Sequence, residues 1–213
     1  MTLKHSHIFL LVIIFPLVSN EAMGQARDEQ ALPNKGMLSL GARNVLSMFS
    51  DGKFDNTGLG MGGQFRLRLS DRINTEWYAD FANTNIHDKA FRRDYHIGWS
   101  VLYYFQSDDG QDIRRIQPFI EAGHCFDYTG LTAEQNQSLE RWSSAVQMGL
   151  GTHFNLTNRF DFTMKAQYMI HLGSDIHVHI ENNLVSLEEH KGVDLEGHIL
   201  VTFSVNYKIG RLW

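Results

Sequence analysis

Residues 59–81 read LGMGGQFRLRLSDRINTEWYADF, and this stretch alternates between two kinds of side chain. Apolar and aromatic residues occupy most of the alternate positions. Glycines and charged or polar residues fill most of the positions between them, with one interruption at residues 70–72. A period of two is the pattern of a β-strand with unlike faces, because successive side chains of a strand point to opposite sides of the sheet. The stretch therefore predicts a β-hairpin with an apolar face and a polar face.

The same alternation recurs through the rest of the chain. Further segments with a period of two begin near residues 38, 95, 118, 146, 160 and 198. Together with the hairpin they give roughly eight strands, the smallest number that closes a transmembrane barrel. The connections alternate in length, with short ones at 70–72, 106–115 and 155–159 and long ones at 49–57, 83–93, 128–141 and 171–196. In an up-and-down sheet this alternation places all the short turns at one end.

Two kinds of barrel can produce this pattern, and they differ in which face lies inside. In a soluble barrel of the lipocalin type the apolar face lines a cavity, whereas in a transmembrane barrel it faces lipid. The polar face here is rich in glycine, which suits a narrow interior, and the apolar face carries more large rings than a small barrel could enclose. The pattern therefore favours an all-β fold, an eight-stranded antiparallel up-and-down transmembrane β-barrel, over a soluble ligand-binding barrel.

The polar face also carries charges of both signs, which we expect to pair across the lumen because buried charges need partners. These residues are Arg43, Arg66, Arg68, Glu76, Asp80, Glu121, Asp161 and Lys165. Four of them, Arg66, Arg68, Glu76 and Glu121, could line a narrow conductance pathway. Barrels of this size are normally filled by side chains, so the sequence favours a lumen closed by paired charges.

The chain begins with the pattern of a secretory signal. An apolar core at residues 8–18, IFLLVIIFPLV, follows Lys4 and precedes small residues that suit cleavage before Gln25. This core is shorter than the ~20 residues that a membrane-spanning helix needs. We therefore predict a signal peptide at 1–24, a flexible periplasmic leader at 25–35 and the barrel at 36–213. A single cysteine, Cys125, allows no intrachain disulfide, and a net charge of −5 gives no sign of nucleic-acid binding.

Across residues 36–213 the chain resembles the small bacterial outer-membrane barrels of the outer-membrane protein A and X class. The resemblance rests on the strand count, the alternating loop lengths and the last strand, FSVNYKI at 203–209. It implies a location in the bacterial outer membrane, contact with outer-membrane lipid and lipopolysaccharide, and insertion by the barrel-assembly machinery. The chain departs from the pattern at its end, GRLW, where either the strand stops near Ile209 or Arg211 reaches the headgroups.

The last long connection contains a candidate metal site. Asp175, His177, His179 and Glu181 would share one face of a strand, and such ligands can bind zinc or another transition metal. However, His-x-His is also common in extended segments that bind no metal. The apolar residues alternating with these four favour a polar hairpin that projects beyond the membrane, so we predict no cofactor.

Some small outer-membrane barrels that resemble this chain modify lipid A with a His and a Ser near the outer leaflet. Here no His after the signal segment is followed two residues later by Ser, and His96 and Ser100 share a face that points inward. We therefore predict no enzymatic activity. The predicted role is structural or interactive, through the long extracellular loops and with at most a narrow pore. A lipid A-modifying enzyme and a soluble secreted lipocalin-like barrel are the alternatives.

Overall fold

A computed structural model describes residues 35–49, 57–86, 89–106, 114–133, 137–172, 175–181, 184–190 and 197–213. The described residues form ten strands: β1 Met37–Phe49, β2 Thr57–Arg68, β3 Ile73–Ile86, β4 Ala90–Tyr104, β5 Ile116–Ala133, β6 Ser138–Asn155, β7 Phe160–Leu172, β8 Asp175–Glu181, β9 Leu184–His190 and β10 Gly197–Arg211. No helix among these residues is long and apolar enough to cross a membrane.

Eight of the strands close into an antiparallel barrel in the order β1-β10-β7-β6-β5-β4-β3-β2. The first and last strands complete the closure, with a register that runs from Met37 opposite Arg211 to Phe49 opposite His198. The barrel therefore leaves no open sheet edge. The predicted fold class is confirmed. Strands β8 and β9 form a separate hairpin within the connection between β7 and β10.

The two ends of the barrel differ in their connections. One end carries the joins β2–β3, β4–β5 and β6–β7 and both termini of the barrel, and we call it the short-turn end. The other end carries the joins β1–β2, β3–β4, β5–β6 and β7–β10, and we call it the long-loop end. Two of the predicted long loops are mostly strand, since β3 and β4 continue to Ile86 and Ala90 and β5 and β6 continue to Ala133 and Ser138. A buried apolar cluster packs these extensions together.

Side chains alternate between the lumen and the outer surface along every barrel strand. The outer surface is apolar: the exposed fractions are 63% for Ile97, 63% for Met148 and 66% for Leu150. Aromatic pairs mark both ends of this surface, with Tyr128 against Trp142 towards the long-loop end and Phe160 against Tyr207 at the short-turn end. Such rings form girdles at membrane interfaces. A lipocalin-type barrel would have the opposite arrangement.

The sequence left two possibilities for the last strand: it stops near Ile209, or it continues and Arg211 reaches the headgroups. Strand β10 extends to Arg211, whose side chain is exposed at the short-turn end. Its Nε donates a hydrogen bond to the carbonyl oxygen of Lys35 at 3.1 Å. The charge therefore lies at the rim of the barrel, where headgroups and water can solvate it.

Close strand contacts make Gly123 a sensitive position. A Cβ atom at Gly123 would overlap the carbonyl oxygen of Trp99 and lie 2.8 Å from the Cα of Ser100, both on the neighbouring strand. We expect Gly123→Ala to lower the free energy of unfolding by about 1–3 kcal/mol, because the backbone atoms that the new methyl group meets cannot move aside as a flexible side chain could. Urea unfolding in lipid vesicles measures this change. Gly63→Ala is the matched control, since its Cβ meets only one carbonyl oxygen, at 3.8 Å. Equal effects at both sites would contradict the packing argument.

Candidate functional site: the barrel lumen

The eight charged residues singled out in the sequence all lie in the lumen and are buried. The structure divides them into two groups at different heights. A central group holds Arg43, Glu76, Asp80, Glu121 and Lys165, and a group nearer the short-turn end holds Arg66, Arg68 and Asp161.

The central group joins two cations to three carboxylates. Lys165 Nζ lies 2.6 Å from Glu76 Oε1 and 3.1 Å from Glu121 Oε2. Arg43 Nε lies 3.0 Å from Asp80 Oδ1, and its Nη1 lies 3.4 Å from Glu76 Oε1. These residues come from β1, β3, β5 and β7, so the group crosses the lumen from several sides. Each charge has an opposite charge in contact, which offsets the cost of removing it from water.

The group near the short-turn end is arranged differently. Arg66 Nη2 lies 2.6 Å from Asp161 Oδ2, so this pair is a direct salt bridge. Arg68 instead donates from Nε to the carbonyl oxygen of Ser70 at 2.8 Å, and its guanidinium lies 4.0 Å from the ring centroid of Tyr104. The two arginines therefore have unlike partners although they are two residues apart on β2.

An apolar layer covers most of the central group on its long-loop side, and only Asp80 of that group lies beyond Tyr78 of the layer along β3. The layer contains Val45, Tyr78, Cys125, Ala145, Met169 and Leu200. Its place follows from the strands, because Cys125 stands between Glu121 and Asp127 and Met169 stands between Lys165 and His171. We did not predict this layer as a unit. Its signal in the sequence is the presence of apolar residues at polar-face positions, such as Val45 on β1.

A histidine cluster lies on the other side of the apolar layer. Asp127 is at its centre, with His96 Nε2 at 3.2 Å, His171 Nδ1 at 3.2 Å and Arg141 Nη2 at 3.0 Å from its carboxylate oxygens. His171 Nε2 is also 2.9 Å from His198 Nδ1. Sequence reasoning missed this cluster, although all five residues occupy lumen-facing positions of the period-two pattern.

The cluster also brings a serine close to a histidine and a carboxylate. Ser143 Oγ lies 3.4 Å from His171 Nδ1, and Asp127 Oδ2 lies 3.2 Å from the same nitrogen. A catalytic triad needs the serine and the carboxylate on opposite nitrogens of the imidazole, so that the base can be oriented and accept a proton at once. Here the serine and the carboxylate both lie near Nδ1 of His171, so the three residues are not arranged as a catalytic triad.

The predicted metal ligands Asp175, His177, His179 and Glu181 belong to β8, which pairs with β9. Their side chains lie outside the part of the structure that is described. Among the described residues, no group of three or more His, Cys, Asp or Glu has an arrangement that could hold a metal ion. The metal site on β8 therefore stays a prediction.

A closed eight-stranded barrel with an apolar exterior and a charged interior defines the class of small transmembrane β-barrels found in bacterial outer membranes. The sequence matches no family model and no curated protein.

Solved structures of this class share the fold. The barrel is similar to Neisserial surface protein A, with 14% identity, a TM-score of 0.54, and coverage of 81% of this chain and 96% of that one. It is also similar to OprG of Pseudomonas aeruginosa, with 15% identity, a TM-score of 0.53, and coverage of 82% and 96%. The barrel is similar as well to the N-terminal barrel domain of OprF from the same organism, with 10% identity, a TM-score of 0.53, and coverage of 81% of this chain and 97% of that one. At these identities the likeness establishes the fold.

Proposed function

We propose that this protein is an integral β-barrel of the bacterial outer membrane with a structural or interaction role and a closed lumen. One observation carries the proposal: ion pairs, an apolar layer and a histidine cluster follow one another along the lumen. We place the barrel in the membrane with its short-turn end towards the periplasm and its long-loop end towards the exterior, as is usual for such barrels. Lipid and lipopolysaccharide contact the outer surface, and the barrel-assembly machinery inserts the chain.

The central ion pairs favour closure over conduction. Two residues of the candidate pathway, Glu76 and Glu121, are bridged by the Nζ of Lys165. An ion crossing the lumen would have to break these contacts and then pass the apolar layer. The eight charges therefore act as a plug that holds the barrel together rather than as the lining of a pore.

The long-loop end is the region that we assign to interaction. The β3–β4 and β5–β6 hairpins extend there, and the β8–β9 hairpin adds further chain. Near the start of β4, the exposed residues Phe91 and Arg93 are neighbours on the same face of the strand, with the guanidinium 5.2 Å from the ring centroid. A cation beside an aromatic ring suits the interface between lipid and headgroups.

Planar bilayer recordings on the purified protein test the closed lumen. We expect no stable conductance steps from preparations that show the heat-dependent gel shift of a folded barrel. Steady unitary conductance would overturn the closed-lumen proposal. Analysis of lipid A from cells that express the protein tests the enzymatic alternative, and altered acyl chains would overturn the non-enzymatic role.

The N-terminal processing has its own test. Removal of residues 1–24 would leave a mature chain that begins at Gln25, with residues 25–35 as a periplasmic leader. Mass spectrometry of protein extracted from outer membranes measures this directly. A chain that retains residues 8–18 would contradict the signal-peptide assignment.

A further inference from the structure

The outer surface of the barrel carries an apolar groove. It crosses β4, β5, β6, β7 and β10 and has a volume of about 730 Å³, within the ~300–1,000 Å³ that is usual for ligand sites. Its walls are large side chains that are exposed on the outer surface: Tyr103, Ile120, Met148, Leu150, Tyr168 and Ile199. The groove therefore opens to the hydrocarbon of the membrane and not to the lumen.

The groove forms because two small side chains lie among these large ones. Ala122 of β5 stands opposite Met148 of β6, and Ala166 of β7 stands opposite Leu150 of β6. Both alanines are exposed and line the groove. The outer surface is therefore lower at these positions, and an apolar chain lying there contacts side chains on both sides as well as beneath it.

The groove leads from the short-turn end into the apolar surface. Tyr103 is the residue before the last one of β4, which ends at the short-turn end. Ile199 is the third residue of β10, which begins at the long-loop end. A molecule in the groove can therefore keep a polar group at the rim of the barrel while its apolar part follows the groove into the bilayer.

Two arginines stand at the short-turn end of the groove. Arg72 Nη1 donates to the hydroxyl of Tyr103 at 3.3 Å, and the Arg72 carbonyl oxygen accepts from the backbone N–H of Tyr104 at 2.9 Å. Arg114 Nη1 donates to Gln106 Oε1 at 2.9 Å, just beyond the same end of β4. Both arginines are exposed, and in the part of the chain that is described neither forms a salt bridge. Their positive charges and remaining N–H groups therefore face the level of the headgroups, where an anion can reach them.

We propose that the groove binds one anionic phospholipid of the phosphatidylglycerol type, with its phosphate at Arg72 and Arg114 and one acyl chain in the groove. The charges are complementary, since guanidinium groups donate parallel hydrogen bonds to phosphate oxygens. A zwitterionic phospholipid brings its own ammonium group, which offsets part of this attraction. The inference rests on the proposed orientation, which places the short-turn end in the periplasmic leaflet, but it does not depend on the closed lumen.

Native mass spectrometry of the full mature protein in a nonionic detergent tests the site. Phosphatidylglycerol is added stepwise, and each bound molecule is counted from the mass of the complex. We expect the first phosphatidylglycerol to bind more tightly than later ones, and about fivefold more tightly than phosphatidylethanolamine, the usual effect of one cation near a charged headgroup. Absence of a distinct first binding step would overturn the proposal. A dimer that excludes lipid would also overturn it, since a second copy would then occupy the groove.

Ala166→Phe tests the groove by filling it. The change adds a large apolar side chain on a surface that faces lipid, so it removes the space for an acyl chain without burying a polar group. We expect the distinct first binding step to be lost. Ala42→Phe is the matched control, because Ala42 is also exposed on the outer surface, on β1, but does not line the groove. A folded Ala166→Phe variant with native binding would contradict the site, and Ala122→Phe takes its place if Ala166→Phe shows no heat-dependent gel shift.

Arg72→Gln tests the charged end of the groove. We expect phosphatidylglycerol to bind about fivefold more weakly to this variant, and its advantage over phosphatidylethanolamine to shrink. Arg211→Gln is the control, since Arg211 is exposed at the same end of the barrel but donates to the backbone of Lys35 rather than to a groove residue. Equal losses in the two variants would overturn the site, because they would show general charge attraction.

The orientation is tested separately in intact cells. Asp71→Cys places a thiol in the exposed turn beside Arg72, while the native Cys125 is buried. We expect a maleimide coupled to a polymer too large to cross the outer membrane to leave this thiol unmodified until that membrane is opened. Modification in intact cells would overturn the orientation, and with it the periplasmic leaflet as the source of the lipid, whatever the purified protein binds.

Discussion

Lys165→Met is expected to lower the free energy of unfolding by about 3–5 kcal/mol, the cost of leaving buried charges without their counter-ion. Lys165 Nζ contacts both Glu76 and Glu121, and its removal leaves these two carboxylates with Arg43 as the cation of the central group. Like charges in a shielded lumen repel strongly. Urea unfolding in lipid vesicles, followed by tryptophan fluorescence, measures the change.

Two further variants make this prediction specific. Lys35→Met removes a lysine that is exposed, and its effect should stay within about 0.5 kcal/mol. The double variant Lys165→Met with Glu121→Gln should recover most of the lost stability, because Glu76 keeps its contact with Arg43. A loss below about 1 kcal/mol for Lys165→Met alone would contradict a buried, tightly paired plug.

Asp127→Asn is expected to cost about 3 kcal/mol, since it removes the negative charge at the centre of the histidine cluster. The carboxylate of Asp127 is fully buried and lies within 3.2 Å of groups from His96, His171 and Arg141. An amide of the same shape cannot balance the charge of Arg141. The same unfolding measurement applies, and the gel shift reports whether the barrel forms.

The double-mutant cycle with Arg141→Gln gives the interaction energy of the pair. We expect the double variant to lose less stability than the sum of the two single variants, because each single change leaves the other charge behind. Asp71→Asn, in an exposed turn, is the control and should be close to neutral. Strict additivity at Asp127 and Arg141 would show that their contact contributes little.

The period of two was enough to predict the barrel and the direction of its charged side chains, because the pleat of a strand fixes which face each residue occupies. It did not predict which charges meet. Lys165 and Glu76 are 89 residues apart and belong to β7 and β3, which are not hydrogen-bonded neighbours. Their contact depends on the tilt of the strands across the lumen, which a pattern along one strand does not contain.

The histidine cluster was missed for a related reason. We predicted that residue 171 begins the last long connection, 171–196, because a run of His and acidic residues follows it. The structure places His171 on β7 with its side chain inward, beside His198 of β10. The cluster could have been predicted from the face of the strand on which each histidine lies, rather than from how close the histidines are to other polar residues along the chain. The long connections were overestimated because the alternation loses its contrast beyond the apolar surface, where apolar residues such as Ile86 and Leu131 face inward.

Tryptophan quenching by lipid tests the central claim, that the apolar face of the barrel contacts the bilayer. The chain has four tryptophans, and the changes Trp142→Phe and Trp213→Phe leave Trp77 and Trp99, which stand opposite each other on neighbouring strands. In vesicles whose phospholipids carry brominated acyl chains, we predict strong quenching of these two by the lipid and little by iodide in the water. Quenching by iodide with no effect of the brominated chains would contradict the account.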